Sequence, residues 1–198
     1  MSHFGKDSNS LNPSTNPSAL RSKTEITKAL LQLMNQYPYA EISIKQIVMD
    51  AHVVRKTFYR NFSDKDDVLD SYLNNIMTEY VTALQQIEDC GIANVLNVIF
   101  EFCILHKDFL LLLQRNHLMY LLLDKWNTFI PDVHERIVDP NSVFVRACRG
   151  LRMDYVLAFN IGAVWNIILK WLEHDGKESP EEIKRTIIAY LERAQQFI

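Results

Sequence analysis

Glycine and proline are scarce in this chain. Five glycines (Gly5, Gly91, Gly150, Gly162 and Gly176) and six prolines are spread over 198 residues, and no two glycines stand close together. That spacing excludes the phosphate-cradling loops GxGxxG and GxxxxGK[ST] and the nucleophile elbow GxSxG. Long stretches without a breaker favour helices throughout, so an all-α chain is expected. Cysteine is equally thin. Cys90, Cys103 and Cys148 are odd in number and irregularly spaced, which fits free thiols in a reducing cytoplasm rather than a disulfide framework. No clean apolar run reaches the ~20 residues of a membrane span. The best stretch, Tyr155 to Leu169, is short and contains Asn160, Gly162 and Asn166, so no membrane partner is expected. No apolar run follows the N-terminus either, and no secretory leader is expected.

Catalytic and metal-binding patterns are also missing. His134 and Glu135 open an HExxH-like pattern, but Val138 stands where its second histidine would be. Cys103 and His106 share a helical face, with His117 further on. A core thiol beside a partly buried histidine carries more weight there than a metal site. No carboxylates pair in a catalytic spacing. The chain is therefore expected to be no enzyme and to hold no cofactor and no metal.

What is present is an ordinary globular composition, 48% hydrophobic and 23% charged, with an uneven charge distribution. Residues 1–62 hold eight Lys/Arg against four Asp/Glu, and residues 63–198 hold thirteen against twenty. A basic head on an acidic body places a phosphate-binding surface near the N-terminal end.

The most informative stretch lies in that head: SIKQIVMDAHVVRKTFYRNFSDKDDVL, residues 43–69. Ser43 and Gln46 form a capping box, and Ile44, Ile47, Val48 and Ala51 mark one apolar face. After a break at residues 51–53, a second short helix carries Arg55, Lys56, Thr57, Tyr59 and Arg60 outward. Phe58 and Phe62, four apart, turn into a core. Ser63 starts a third helix, with Asp66 at the capping-box position. Two short helices joined by a tight turn, the second exposing basic and hydroxyl side chains, form a DNA-reading helix-turn-helix.

These residues resemble the N-terminal domain of TetR-type (TetR/AcrR) transcriptional regulators, whose pattern runs close to T-[IV]-x-x-I-x-x-x-A-G-V-S-x-x-T-[FL]-Y-x-[HY]-F-x-x-K-x-x-L. Ser43, Ile44, Ile47, Ala51, Val53, Thr57, Phe58, Tyr59, Phe62, Lys65 and Leu69 stand in register. His52 replaces the family's Gly, Val54 a Ser or Asn, and Asn61 a His or Tyr. Val54 leaves the reading helix without a polar N-cap, which costs about 1 kcal/mol. The resemblance implies a sequence-specific, DNA-binding transcriptional regulator, for the most part of the repressing kind. Arg55, Lys56 and Thr57 are the expected base-edge readers. Ser43, Tyr59, Asn61 and Lys65 are expected on phosphates, with Lys45 and Gln46 near the backbone on the supporting helix; Arg60 of the reading helix is also an expected DNA-binding residue.

The remaining chain divides as follows. Residues 1–20, rich in Ser, Asn and Pro, read as a disordered arm. Residues 21–66 form the helix-turn-helix domain, its first helix running from about Ser22 to Gln36 behind a Ser22/Glu25 capping box. Residues 67–198 form a helical body for ligand binding and dimerisation, with a helix from 117 to 138 interrupted at Pro131. In the body, His106, Lys107, Asp108 and Phe109, together with Trp171 to Glu182, resemble C-terminal domains of one TetR branch, which implies that the last two long helices build a homodimer interface. Ile183, Ile187, Tyr190, Ala194 and Phe197 make a 4-3-4-3 stripe suited to that role. His106, His117, Tyr120, Trp126, Asn160 and Trp165 are candidates to line a mostly apolar effector pocket. The expected protein is a cytoplasmic homodimer on a pseudo-palindromic operator, switched by a small molecule. The alternative is a helical protein-interaction adaptor on the same fold without DNA binding.

Overall fold

A computed structural model describes residues 17–87, 92–137, 146 and 148–194. Nine α-helices are found among the described residues: α1 Pro17–Met34, α2 Ile44–Asp50, α3 Arg55–Asn61, α4 Lys65–Gln85, α5 Ile92–Leu105, α6 Lys107–Arg115, α7 Met119–Ile137, α8 Met153–Glu173 and α9 Pro180–Ala194. A single 3₁₀ turn, Tyr39–Glu41, lies between α1 and α2. No strand occurs among the described residues, so the all-α expectation holds. The chain forms two compact units, residues up to Leu69 and residues from Asp70 onward. The division falls inside α4.

In the first unit, α1 buries the stripe Ile26, Ala29, Leu30, Leu33 and Met34. It packs against α2 and α3, over Ile47, Phe58 and Phe62, which are also buried. Helix α1 starts earlier than the sequence suggested. Pro17 to Leu20, expected in the arm, are helical, and Ser22 is no cap. Its hydroxyl donates to the Ser18 carbonyl inside the helix at 2.9 Å. Residues 1–16 of the expected arm lie outside the described residues. The start of α4 also shifts by one position. Asp64, not Ser63, accepts the Asp67 N–H at 2.8 Å, and the Asp67 carboxylate reaches back to the Ser63 N–H at 2.8 Å. Asp66 is engaged elsewhere, accepting from the Tyr39 hydroxyl.

In the second unit, Leu73, Ile76, Met77 and Tyr80 of α4 join buried residues of α5 to α8. Helix α6 stops in a Schellman arrangement. The Leu118 N–H donates to the Leu113 carbonyl, the His117 N–H donates to the Gln114 carbonyl, and His117 takes φ 58°. Pro131 lies inside α7 rather than interrupting it. Helix α8 runs on past the stretch judged too short to span a membrane. At 21 residues it is long and apolar enough to cross one, and it buries Ile161, Trp165, Ile168, Trp171 and Leu172 within its unit. After α8, Gly176 (φ 59°) lies so close to Trp171 that an added Cβ would meet its ring at 2.8 Å. The Lys107 ammonium donates to the Gly176 carbonyl at 3.2 Å, pinning this turn ahead of α9.

Candidate nucleic-acid interface

The site is built on α2, α3 and the turn between them. The Ser43/Gln46 capping box forms as expected. The Gln46 N–H donates to Ser43 Oγ at 3.3 Å, and the Ser43 N–H donates to Gln46 Oε1 at 2.9 Å. These side chains therefore fix the entry of α2, while Lys45 stays exposed beside them. Helix α2 ends at Asp50. His52 carries the chain round the turn at φ 51°, in the left-handed region that a residue with a Cβ occupies at a cost. Val54 then caps α3 in an extended conformation without a side-chain hydrogen bond. Its carbonyl accepts from the Thr57 N–H at 2.8 Å.

Phe58 is fully buried and Phe62 nearly so, their ring centroids 6.2 Å apart. That anchorage sets the outward face of α3. Arg55, Lys56, Tyr59 and Arg60 are exposed, and Thr57 is half-buried. Arg55 is held: Nη2 donates to the Tyr59 hydroxyl at 3.2 Å, and its guanidinium lies 5.5 Å from the centre of that ring. One turn of helix separates the two residues, the spacing at which such pairs meet. Asn61 is half-buried and spends one amide hydrogen on the Thr57 carbonyl at 2.7 Å.

Lys65 does not face outward. Its ammonium donates to the carbonyls of Tyr39, Ala40 and Ile42 at 2.6, 3.1 and 3.0 Å. An ammonium has three donors, so none is left for a phosphate. Lys65, expected on a phosphate, here staples the 3₁₀ turn onto the start of α4. Sequence reasoning gave no contact role to Met49 near the end of α2 or to Val54 ahead of α3, which are 65% and 68% exposed. An exposed apolar side chain inside a basic motif was the available signal.

The second unit gathers three of the six ligand candidates. Trp126 stacks on Tyr80 at 5.7 Å and meets Trp165 edge-on at 5.7 Å. Tyr80 also touches Phe102, which in turn touches the His106 ring at 4.8 Å. Trp126 Nε1 and His106 Nε2 are buried without a hydrogen-bond partner among the described residues. Glu79 Oε2 faces His106 Nε2 at 3.2 Å, but not in the alignment of a hydrogen bond. Burial raises the Tyr80 hydroxyl above its ordinary range, with the nearby Cys103 adding to the effect. It also pushes the Cys103 thiol up to about 12. Asn160 is half-buried on α8. His117 and Tyr120 are exposed and do not line this interior. His117 is spent on the left-handed stop of α6, and Tyr120 lies across α7 from the buried Met119, Leu122 and Trp126.

Helix α9 buries none of its residues. Ile183, Ile187 and Ala194 are half-buried and Tyr190 is 68% exposed. Phe197 lies outside the described residues.

A short helix pair with a basic outer face, followed by a larger helical unit, defines the class of helix-turn-helix transcriptional regulators. Comparison with known proteins agrees. Residues 26–72 match the family described as "Bacterial regulatory proteins, tetR family", and residues 91–193 match "Transcriptional regulator C-terminal region". The chain belongs to the TetR family of transcriptional regulators and is a DNA-binding regulator rather than an enzyme. No curated protein matches it. Among solved structures it is similar to the dihydroxyacetone kinase operon activator DhaS, with a TM-score of 0.55 and 18% identity over 89% of this chain and 97% of that one. It is also similar to the fatty acid degradation regulator FadR from Bacillus halodurans, with a TM-score of 0.58 and 15% identity over 88% of this chain and 94% of that one. At these identities the likeness concerns the fold.

Proposed function

We propose that this regulator acts in the cytoplasm as a homodimeric repressor on a pseudo-palindromic operator, and that a small molecule bound in the second unit sets its operator affinity. The observation that carries the DNA half is the exposed cationic face of α3, with Arg55 already braced by Tyr59. Arg55, Lys56 and Thr57 read base edges in the major groove, where Arg and Lys suit guanine O6 and N7 and the Thr methyl suits thymine. Ser43, Lys45, Gln46, Tyr59, Arg60 and Asn61 set the protein on the backbone. Homodimerisation is supported by the unburied apolar stripe of α9. Pairing it with α8 across a two-fold axis gives a four-helix bundle, and two reading helices then meet half-sites about one helical turn or a multiple apart.

The effector half rests on the aromatic interior around Trp126. A buried indole N–H without an acceptor is costly, and His106 presents a second buried polar atom a few rings away. A mostly apolar molecule with one or two polar groups, at least one of them an acceptor, matches that interior. A repressor is released by a ligand that prefers its DNA-incompetent arrangement, and a coupling of about 1–3 kcal/mol changes operator affinity roughly 5- to 150-fold. The test is selection of bound duplexes from a random pool, then operator titration with and without small molecules that raise the melting temperature. Enrichment of a two-fold site and a shifted titration support the reading. Hits that stabilise the protein yet leave the titration unmoved refute the switch and spare the DNA-binding claim.

A further inference from the structure

Val54 stands directly before Arg55 and Lys56 and is 68% exposed. Scattered surface valines need no explanation, but this one occupies a position with its own chemical demand. Val54 is the N-cap of α3, extended at φ −82° and ψ 150°, and it makes no side-chain cap hydrogen bond. A serine, threonine, asparagine or aspartate there would satisfy one of the orphan N–H groups of the helix start. An isopropyl group does not. It is also stiff, because a β-branched side chain has restricted χ1 freedom, and the backbone beneath it is fixed by the bonds from Thr57 and Phe58 to the Val54 carbonyl. The result is a stiff apolar knob next in sequence to the exposed cations Arg55 and Lys56, on a helix that also exposes Arg60.

That charge environment selects the occupant. The cations suit a polyanion, and on the major-groove edges of DNA bases the apolar group is the C5-methyl of thymine. We infer that Val54 is a specificity residue that reads a thymine methyl in each operator half-site, adjacent to the base met by Arg55. The inference rests on the DNA-reading role proposed above for α3 and adds a base preference to it. It is distinct from the Thr57 contact, since Thr57 is half-buried and lies further along the helix.

The experiment replaces thymine by uracil, which removes only the methyl group. A site is first selected from a random duplex pool with the full-length protein. Each thymine of the selected site is then changed to uracil in turn, and affinities are measured by fluorescence anisotropy for wild type, Val54→Ser and Val54→Ala. The alanine variant adds no cap, so it repeats the test without changing the hydrogen bonding of the helix start. Loss of one buried methyl contact predicts about a fourfold weakening per half-site for wild type at one symmetric thymine position. The same substitution is expected to cost either variant almost nothing. A uracil penalty that persists undiminished in both variants assigns the methyl contact to another residue and overturns the proposal. Uracil scanning without any penalty in wild type also overturns it, while leaving the DNA-binding reading intact. A pool that enriches no sequence removes that reading, and this proposal with it.

Discussion

The Lys65 ammonium donates to the Tyr39 carbonyl at 2.6 Å and lies 4.7 Å from the centroid of the same residue's ring. With Ala40 and Ile42 accepting its other two hydrogens, one side chain closes the 3₁₀ turn that orients α2. Lys65→Met keeps the aliphatic stem and deletes those bonds. A charged hydrogen-bond set of this kind, partly exposed, is expected to contribute about 1–2 kcal/mol, read as a lower urea midpoint for the first unit. Under conditions where the variant stays folded, its DNA affinity is expected to fall far less than that of Lys56→Ala.

His52 holds a left-handed conformation at φ 51°. Glycine adopts it freely, but loses more chain entropy on folding. Relief of backbone strain of roughly 1–2 kcal/mol outweighs that loss, so His52→Gly is expected to raise the stability of the first unit by about 0.5–1 kcal/mol. Urea unfolding at neutral pH checks the sign, and an unchanged or lowered midpoint contradicts it.

Alkaline pH tests the aromatic interior. The folded Cys103 thiol titrates near 12, against an ordinary value of 9.0. Above pH 9 the unfolded chain releases a proton that the folded chain keeps, so stability is expected to fall as pH rises from there toward 12. The slope approaches about 1.4 kcal/mol per pH unit for one group. Tyr80, also raised by burial, adds its own decline from above its ordinary value near 10. Cys103→Ala removes the first part of the slope and leaves the second. Native Cys103 is likewise expected to resist iodoacetamide at pH 8, which mass spectrometry of the labelled protein reads directly.

Dimerisation is tested on α9. Ile187 is half-buried in the single chain and sits mid-stripe. Ile187→Asp places a charge in the proposed four-helix interface and is expected to yield monomers by analytical ultracentrifugation, with unchanged helical content. A wild-type protein that sediments as a monomer at micromolar concentration removes the interface.

The helix-turn-helix was readable because its signals are local. Ser43 and Gln46 are three residues apart, Phe58 and Phe62 four, and each pair does in the structure what its spacing implies. Harder to read were features set by partners distant in sequence or by competition between neighbours. Lys65 looked like a surface cation because the carbonyls it binds lie 23 to 26 residues earlier. Ser63 and Asp64 are adjacent and both able to cap, and only the backbone path chose Asp64. The polar composition before Ser22 hid the first turn of α1, where Ser22 and Thr24 return their hydroxyls to carbonyls four residues back. Tyr120 was within reach of the sequence, since burial at Met119, Leu122 and Trp126 places position 120 on the far side of α7. His117 was not, because its role depends on a single backbone angle.

The central claim is that α3 reads DNA sequence through Arg55 and its neighbours. The most direct measurement is anisotropy titration of wild type and Arg55→Ala against the selected operator and against a scrambled duplex, at one fixed salt concentration. The account predicts tight wild-type binding to a two-fold site. Arg55→Ala is expected to lose about 1–3 kcal/mol on that site with relaxed choice at one base pair per half-site, and to lose little on the scrambled duplex. Equal binding of both proteins to both duplexes would contradict it.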